Sequence, residues 1–290
     1  MKLLSFGLHG QEKPGLLLEN DQVLDLSAVL PEGPRTMREL LERGLLGACA
    51  AIDPGGVDPG FCRRLATVRL GAPVPDPTKI LCLGLNYRDH AAEQNRPLPK
   101  KPLVFAKAPS SVIAKGEAIR LPDRRFETFT DPEVELAVVI GKQASHVAES
   151  EAYDYVAGYT ILNDVSGRDT QSAEKQWLRA KSFDTFAPMG PWLVTRDEMS
   201  DPHTLEITCH VNGELRQSSN LSNLVFTVPF LVSYLSQTMT LVPGDIISTG
   251  TPGGVGIYHE PPVPLREGDV VTLEIDGLGV LENPVAGTSR

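Results

Sequence analysis

Short apolar runs bounded by turn residues dominate this chain, and helical periodicity is confined to a few stretches. Runs at 79–85, 103–107, 136–140, 155–162, 205–211, 245–249 and 270–275 are β-rich and predict strands. Asn212-Gly213 and Asp276-Gly277 read as hairpin turns, because both sequences accept the backbone twist that a tight connection requires. A stripe of Phe230, Leu231, Tyr234 and Leu235 predicts a helix over 228–237, and a weaker one is expected over 149–154. The first seventy residues have a different texture. Strands at 15–18 and 22–26 flank the turn Glu19-Asn20-Asp21, and a helix over 35–45 follows. Alternate prolines at Pro73, Pro75 and Pro77 suit an extended connection. The pattern predicts a β-dominated α+β chain with a small N-terminal α/β domain at 1–72 and a catalytic domain at 73–290.

Composition narrows the function classes. A 41% hydrophobic and 22% charged chain with a formal charge of −10 and no long basic cluster is globular and ill suited to nucleic acid or anionic membranes. No apolar run reaches the length of a membrane span, and the N-terminus lacks a signal core, so a cytoplasmic location is the expectation. Cys49, Cys62, Cys82 and Cys209 are scattered and form no zinc or disulfide pattern. No G-x-G-x-x-G follows the first strand, which leaves a nucleotide-binding reading without support.

The candidate chemistry lies at strand ends. Glu133 and Glu135 are two apart on a strand and so share one face, opposite Val134, Leu136 and Val138. Two acids entering an apolar strand repel unless something positive lies between them; a hard divalent cation meets that need. Two exposed acids at a solvated strand end are the commoner origin of such a motif. Asp164 adds a third acid directly after the apolar run 155–162, where Asp169 competes and Arg168 is a surface partner for Asp169. His90 and Glu93 are neighbours on a short helix, an arrangement that orients an imidazole as a base and is also common as a plain surface pair. Lys181 suits an anion or an exposed surface. The loop 248–256 could cradle an anion with its amides and Thr251, although glycine-rich turns often hold nothing.

Taken together, these segments resemble the fumarylacetoacetate hydrolase family over roughly residues 78–285. The resemblance rests on G-x-N-Y-x-x-H-x-x-E at 84–93, E-x-E at 133–135, N-D-V-S-x-R-D at 163–169 and A-K-S-F at 180–183. It continues through V-N-G-E-L-R-Q at 211–217 and the G-D-I-I-S-T-G-T-P-x-G-V-G segment at 244–256. It implies a mixed β-roll fold, a homodimer, and Mg²⁺ or Mn²⁺ on Glu133, Glu135 and Asp164. It also implies a water-activating dyad of His90 and Glu93, with substrate contacts from Gln171, Lys181 and Thr251. Some relatives place an arginine where this chain has Leu85, which makes Arg88 the candidate replacement in the carboxylate clamp. The implied reaction is C–C hydrolysis of a 2,4-dioxo acid, an acylpyruvate or a 2,4-diketo-3-deoxy sugar acid, to pyruvate or an analogue and a carboxylic acid. Oxaloacetate decarboxylation, isomerisation or dehydration of a related 2-oxo acid use the same site, and a noncatalytic dicarboxylate-binding module is the rival from another class.

Overall fold

The computed structural model describes residues 1–288. Its main sheet begins with an N-terminal meander: β1 (Lys2–Phe6), β2 (Lys13–Leu18), β3 (Gln22–Asp25) and β4 (Cys62–Arg64). The sheet continues with β5 (Ile80–Gly84), β6 (Leu103–Lys107), β7 (Val112–Ile113), β10 (Val134–Ile140), β11 (Val156–Asn163), β13 (Ala187–Thr195) and β16 (Ile246–Ser248). Its order is β4-β3-β2-β1-β13-β11-β10-β16-β5-β6, with β7 paired to β13. A five-stranded sheet carries β8 (Ile119–Arg120), β14 (Glu206–Val211), β15 (Glu214–Asn220), β17 (Val270–Ile275) and β18 (Gly279–Ala286). Two short strands, β9 (Thr130–Asp131) and β12 (Ser166–Gly167), pair beside the acid-bearing strand ends.

Side-chain alternation explains why the main sheet is a middle layer. On β10, Val134, Leu136, Val138 and Ile140 join a core that includes Ile207, Cys209 and Leu273 of the five-stranded sheet and helix α7 (Val228–Ser236). Ala137 and Val139 face the other way, toward a second core. That core includes Leu3 and Leu16 together with α1 (Leu26–Val29), α2 (Met37–Glu42) and α3 (Leu46–Ala50). Glu133 and Glu135 share the parity of Ala137, so they enter the second face beyond its apolar cover. The remaining helices, α4 (Arg88–Glu93), α5 (Arg168–Ala173) and α6 (Leu178–Lys181), are short and stand around the acids.

Most expected strands and the helix over 228–237 form where the pattern places them. The Asn212-Gly213 turn has φ of 54° and 79°, the left-handed pair a two-residue hairpin needs. Residues 149–155 form a 3₁₀ segment. Strand β13 lies outside the apolar runs that predict strands and contains Pro188, Gly190 and Pro191; its pairing with β11 shifts register there, between Tyr159 and Ile161. The change of texture near residue 72 does not mark a break in the sheet. Strand β1 pairs with β13 through Lys2↔Val194 and Leu3↔Leu193, and the second core is shared across the connection. Replacing the fully buried Leu3 by Ala is therefore expected to cost about 2–5 kcal/mol. It should lower the midpoint of one chemical-denaturation transition for the whole chain. Selective early loss of the N-terminal signal, with the rest unmoved, would show two independently folding units.

Candidate active site

Glu133, Glu135 and Asp164 converge at the ends of β10 and β11. All three are buried, and one oxygen from each lies within 4.8 Å of the others. The backbone fixes this convergence: the Asn163 side-chain oxygen accepts from the Glu133 amide at 3.0 Å, and the Asp164 amide donates to the Glu133 carbonyl at 2.9 Å. Buried carboxylates need compensation, and the chain supplies it unevenly. Lys181 Nζ, at the end of α6, donates to Glu133 Oε2 at 2.7 Å and to Asp164 Oδ2 at 2.6 Å. Lys107 Nζ, on the last residue of β6, donates to Asp164 Oδ1 at 2.6 Å and to the Val165 carbonyl. Arg168 lies between Glu133 Oε1, at 2.7 Å, and the fully buried Asp131, at 2.8 Å.

Glu135 differs from its neighbours. Its carboxylate accepts from the Ser248 hydroxyl at 2.5 Å and the Gly250 amide at 2.9 Å, both neutral donors. Burial, and then repulsion from Asp164 and Glu133, push its carboxyl well above the usual range. For Glu133 burial acts in the same direction, but Lys181 and Arg168 overcome it and hold the group ionised well below that range. Burial would lower the Lys181 ammonium, yet Asp164 and Glu133 raise it. With Asp131 balanced by Arg168, Lys107 and Lys181 face Glu133, Asp164 and Glu135, so ionising Glu135 would leave one negative charge in excess in a buried setting. An all-oxygen, buried, net-negative trio suits a hard divalent cation, which would give Glu135 the positive partner it lacks.

His90 stands over the same cleft on α4. Its Nδ1 lies 3.1 Å from Glu93 Oε1, and its Nε2 is 2.7 Å from the Gln94 amide nitrogen. A carboxylate only accepts, so Nδ1 carries the proton and the Nε2 lone pair takes the Gln94 N–H. The cleft, about 240 Å³ in volume, is lined by His90, Glu133, Glu135, Lys181, Gln171 and Thr251, with Leu85, Phe105 and Trp177 as an apolar wall. Gln171 reaches it through Arg168, whose Nη1 donates to its Oε1 at 2.9 Å. Thr251 Oγ1 donates to the Val134 carbonyl and accepts from Gln217, so its hydroxyl also ties the loop to β10.

Several sequence expectations need correction. Arg88 is exposed at the start of α4 and does not line the cleft; Arg96 and Arg168 bring the guanidinium groups there. Arg168 is no surface partner of Asp169, which instead accepts from Thr128; the arginine turns inward toward Asp131. Most of the hydrogen-bonding amides of the glycine-rich loop grip this chain's own acids. Gly250 donates to Glu135, Gly253 to Asp89, Gly254 to Glu93 and Gly256 to Asp131. Gly250 adopts φ of +98°, and a Cβ there would stand 2.9 Å from that of Asn86. Sequence reasoning missed Lys107 and Gln217, since one ends an ordinary strand and the other lies on a distant hairpin. A lysine terminating an apolar strand beside the site was the available signal for the first.

Three buried acids, two buried lysines and an oriented histidine on this β-roll define a metal-capable acid–base enzyme site. Residues 79–286 match the family model described as Fumarylacetoacetate (FAA) hydrolase C-terminal. The chain belongs to the fumarylacetoacetate hydrolase family. An oxaloacetate tautomerase from Xenopus laevis, described as mitochondrial, is 45% identical over 98% of this chain and 90% of its own length. Among solved structures, maleylpyruvate hydrolase from Sphingobium sp. SYK-6, in complex with manganese(II) ion and pyruvate, is 32% identical; it covers 100% of both chains with a TM-score of 0.81. A 2-hydroxyhepta-2,4-diene-1,7-dioate isomerase from Mycobacterium marinum is 33% identical over 100% of both chains, with a TM-score of 0.78.

The uneven compensation yields a test. Glu135→Gln removes the carboxylate without a cationic partner, so in EDTA its melting temperature should equal or exceed that of the wild type. The stabilisation that added Mg²⁺ gives the wild type should be lost. A lower melting point in EDTA together with a retained Mg²⁺ shift would remove Glu135 from the ligand set.

Proposed function

We propose that this chain interconverts the keto and enol forms of oxaloacetate by proton transfer at C3. The observation that carries the reading is the His90–Glu93 pair at a cleft lined by the buried Glu133 and Glu135, with Asp164 buried against them. A near-full-length relative described as an oxaloacetate tautomerase supports it. The trio Glu133, Glu135 and Asp164 would hold Mg²⁺ or Mn²⁺, which supplies Lewis-acid polarisation of a 2-oxo acid. Bound there, the ion would make the C3–H bond of the substrate more acidic.

The residues of the chain then do the proton work. In the keto-to-enol direction the substrate displaces the Gln94 amide, and His90 Nε2 accepts the C3 proton. The 2-oxo oxygen takes up a proton from solvent at the cleft mouth, so the two forms differ only in proton position. Glu93 steadies the imidazolium through Nδ1, and the Gly254 amide at 2.5 Å fixes Glu93 in turn. Lys181 carries positive charge beside the acids, where it favours the enolate over the neutral ketone. The wall of Leu85, Phe105 and Trp177 limits water on one side of the cleft.

A second reading, hydrolysis of an acylpyruvate, is supported by the maleylpyruvate hydrolase relative. It uses the same histidine on water in place of a C–H bond. The two readings separate in a panel of oxaloacetate, acetylpyruvate and a 2,4-diketo-3-deoxy sugar acid, with Mg²⁺ or EDTA. Ultraviolet absorbance follows the enol and NMR follows released pyruvate. Metal-dependent acceleration of oxaloacetate tautomerisation, without pyruvate release from the diketo acids, is expected. Rapid release of pyruvate and a carboxylic acid, with no effect on the enol, would replace tautomerase by hydrolase.

His90→Asn is expected to lower turnover about 10²–10⁴-fold, the usual contribution of a positioned base. The Mg²⁺-induced rise in melting temperature should persist. A variant that keeps full turnover would remove His90 from proton transfer.

A further inference from the structure

The cations that border the cleft are not equivalent. Arg168 is committed to Asp131 and Glu133, and Lys181 to Glu133 and Asp164. Arg96 also lines the cleft, yet its guanidinium has no ion pair or hydrogen-bond partner among the described residues. The end of α4 determines its place. Asn95 adopts a left-handed φ of 51°, its amide donates to the Ala92 carbonyl, and the Arg96 amide donates to Ala91 at 2.9 Å. This doubly bonded cap ends the helix sharply and ties Arg96 to the short element that carries His90 and Glu93. The chain thus leaves the helix with its one uncommitted cleft cation held in fixed relation to the base.

We infer that Arg96 reads the second carboxylate of a short 2-oxo dicarboxylate and so selects against monocarboxylic 2-oxo acids. The inference rests on the tautomerase reading for the identity of the head group, which a divalent cation held by the acids, with Lys181 beside it, would receive. The volume of about 240 Å³ holds a compact acid of a few carbons, and the wall of Leu85, Phe105 and Trp177 offers an anionic tail no partner. Arg96 is the remaining uncommitted cation of the lining, and a guanidinium matches a carboxylate bidentately where an ammonium does not. Specificity for the dicarboxylate follows from a single charge-assisted contact at the mouth, while the head remains common to all 2-oxo acids.

The test compares malate with lactate, which share a 2-hydroxy acid head and differ in the second carboxylate. Both are titrated calorimetrically into Mg²⁺-loaded wild type, Arg96→Met and Arg96→Lys. The wild type should prefer malate by roughly 10- to 100-fold, the range of a charge-assisted hydrogen bond. Arg96→Met should lose that preference while lactate affinity stays within about twofold, and Arg96→Lys should restore part of it. Equal affinity of the wild type for both acids, or a preference that survives Arg96→Met, would overturn the assignment. The binding ratio is independent of turnover: a wild type without tautomerase activity that still loses its malate preference in Arg96→Met refutes the reaction and retains the role of Arg96.

Discussion

Four carboxylates buried at and beside the ends of two central strands are the constraint on which the rest of this site depends. Asp131, Glu133, Glu135 and Asp164 are each less than 5% exposed. Ionised groups removed from water this completely persist only with dedicated partners. The chain answers with Lys107 from β6, Lys181 from α6, Arg168 from α5 and amides from the loop after β16. Elements distant in sequence meet here because each brings a donor. The shortness of α4, α5 and α6 suits that task, since each presents one or two side chains and packs little else. What lacks a cationic partner is local, the Glu135 carboxyl, and it lies where a cation would act.

The glycine-rich loop links the two halves of the site. The same run of amides reaches Glu135 in the acid trio, Glu93 behind the histidine and Asp131 behind the arginine. Gln217 on β15 fastens this loop to β10, accepting from the Val134 amide and donating to Thr251 and the Pro252 carbonyl. The acid trio, the His90–Glu93 pair and Arg168 are therefore held by one segment and respond together to its movement. Proton transfer needs that mutual register more than any single side chain.

Much of this was legible in the sequence, for identifiable reasons. Period-two alternation placed Glu133 and Glu135 on one face, and the three-residue spacing of His90 and Glu93 gave the dyad that α4 presents. Strands with clean apolar runs were found at nearly their observed bounds. Strand β13 escaped because prolines are tolerated where a neighbour shifts register, which only the paired strand reveals. The direction of Arg168 and the partnership of Lys107 with Asp164, 57 positions away, depend on three-dimensional closure. Arg88 is the expected replacement for an arginine that some relatives carry at the position of Leu85, but α4 turns it outward while the helix cap brings Arg96 in.

The proposed reaction requires that this cleft enolise a 2-oxo acid. Solvent exchange at C3 measures that step with no bond cleavage and no product to identify. Pyruvate, at a concentration high enough to offset the weaker binding expected of a monocarboxylate, is incubated in D₂O with the Mg²⁺-loaded protein, and its methyl proton signal is followed by NMR. Exchange well above the rate with Mg²⁺ alone, abolished by EDTA and by His90→Asn, is the predicted result. Pyruvate that binds, as seen by calorimetry, yet keeps its protons at the background rate would contradict it.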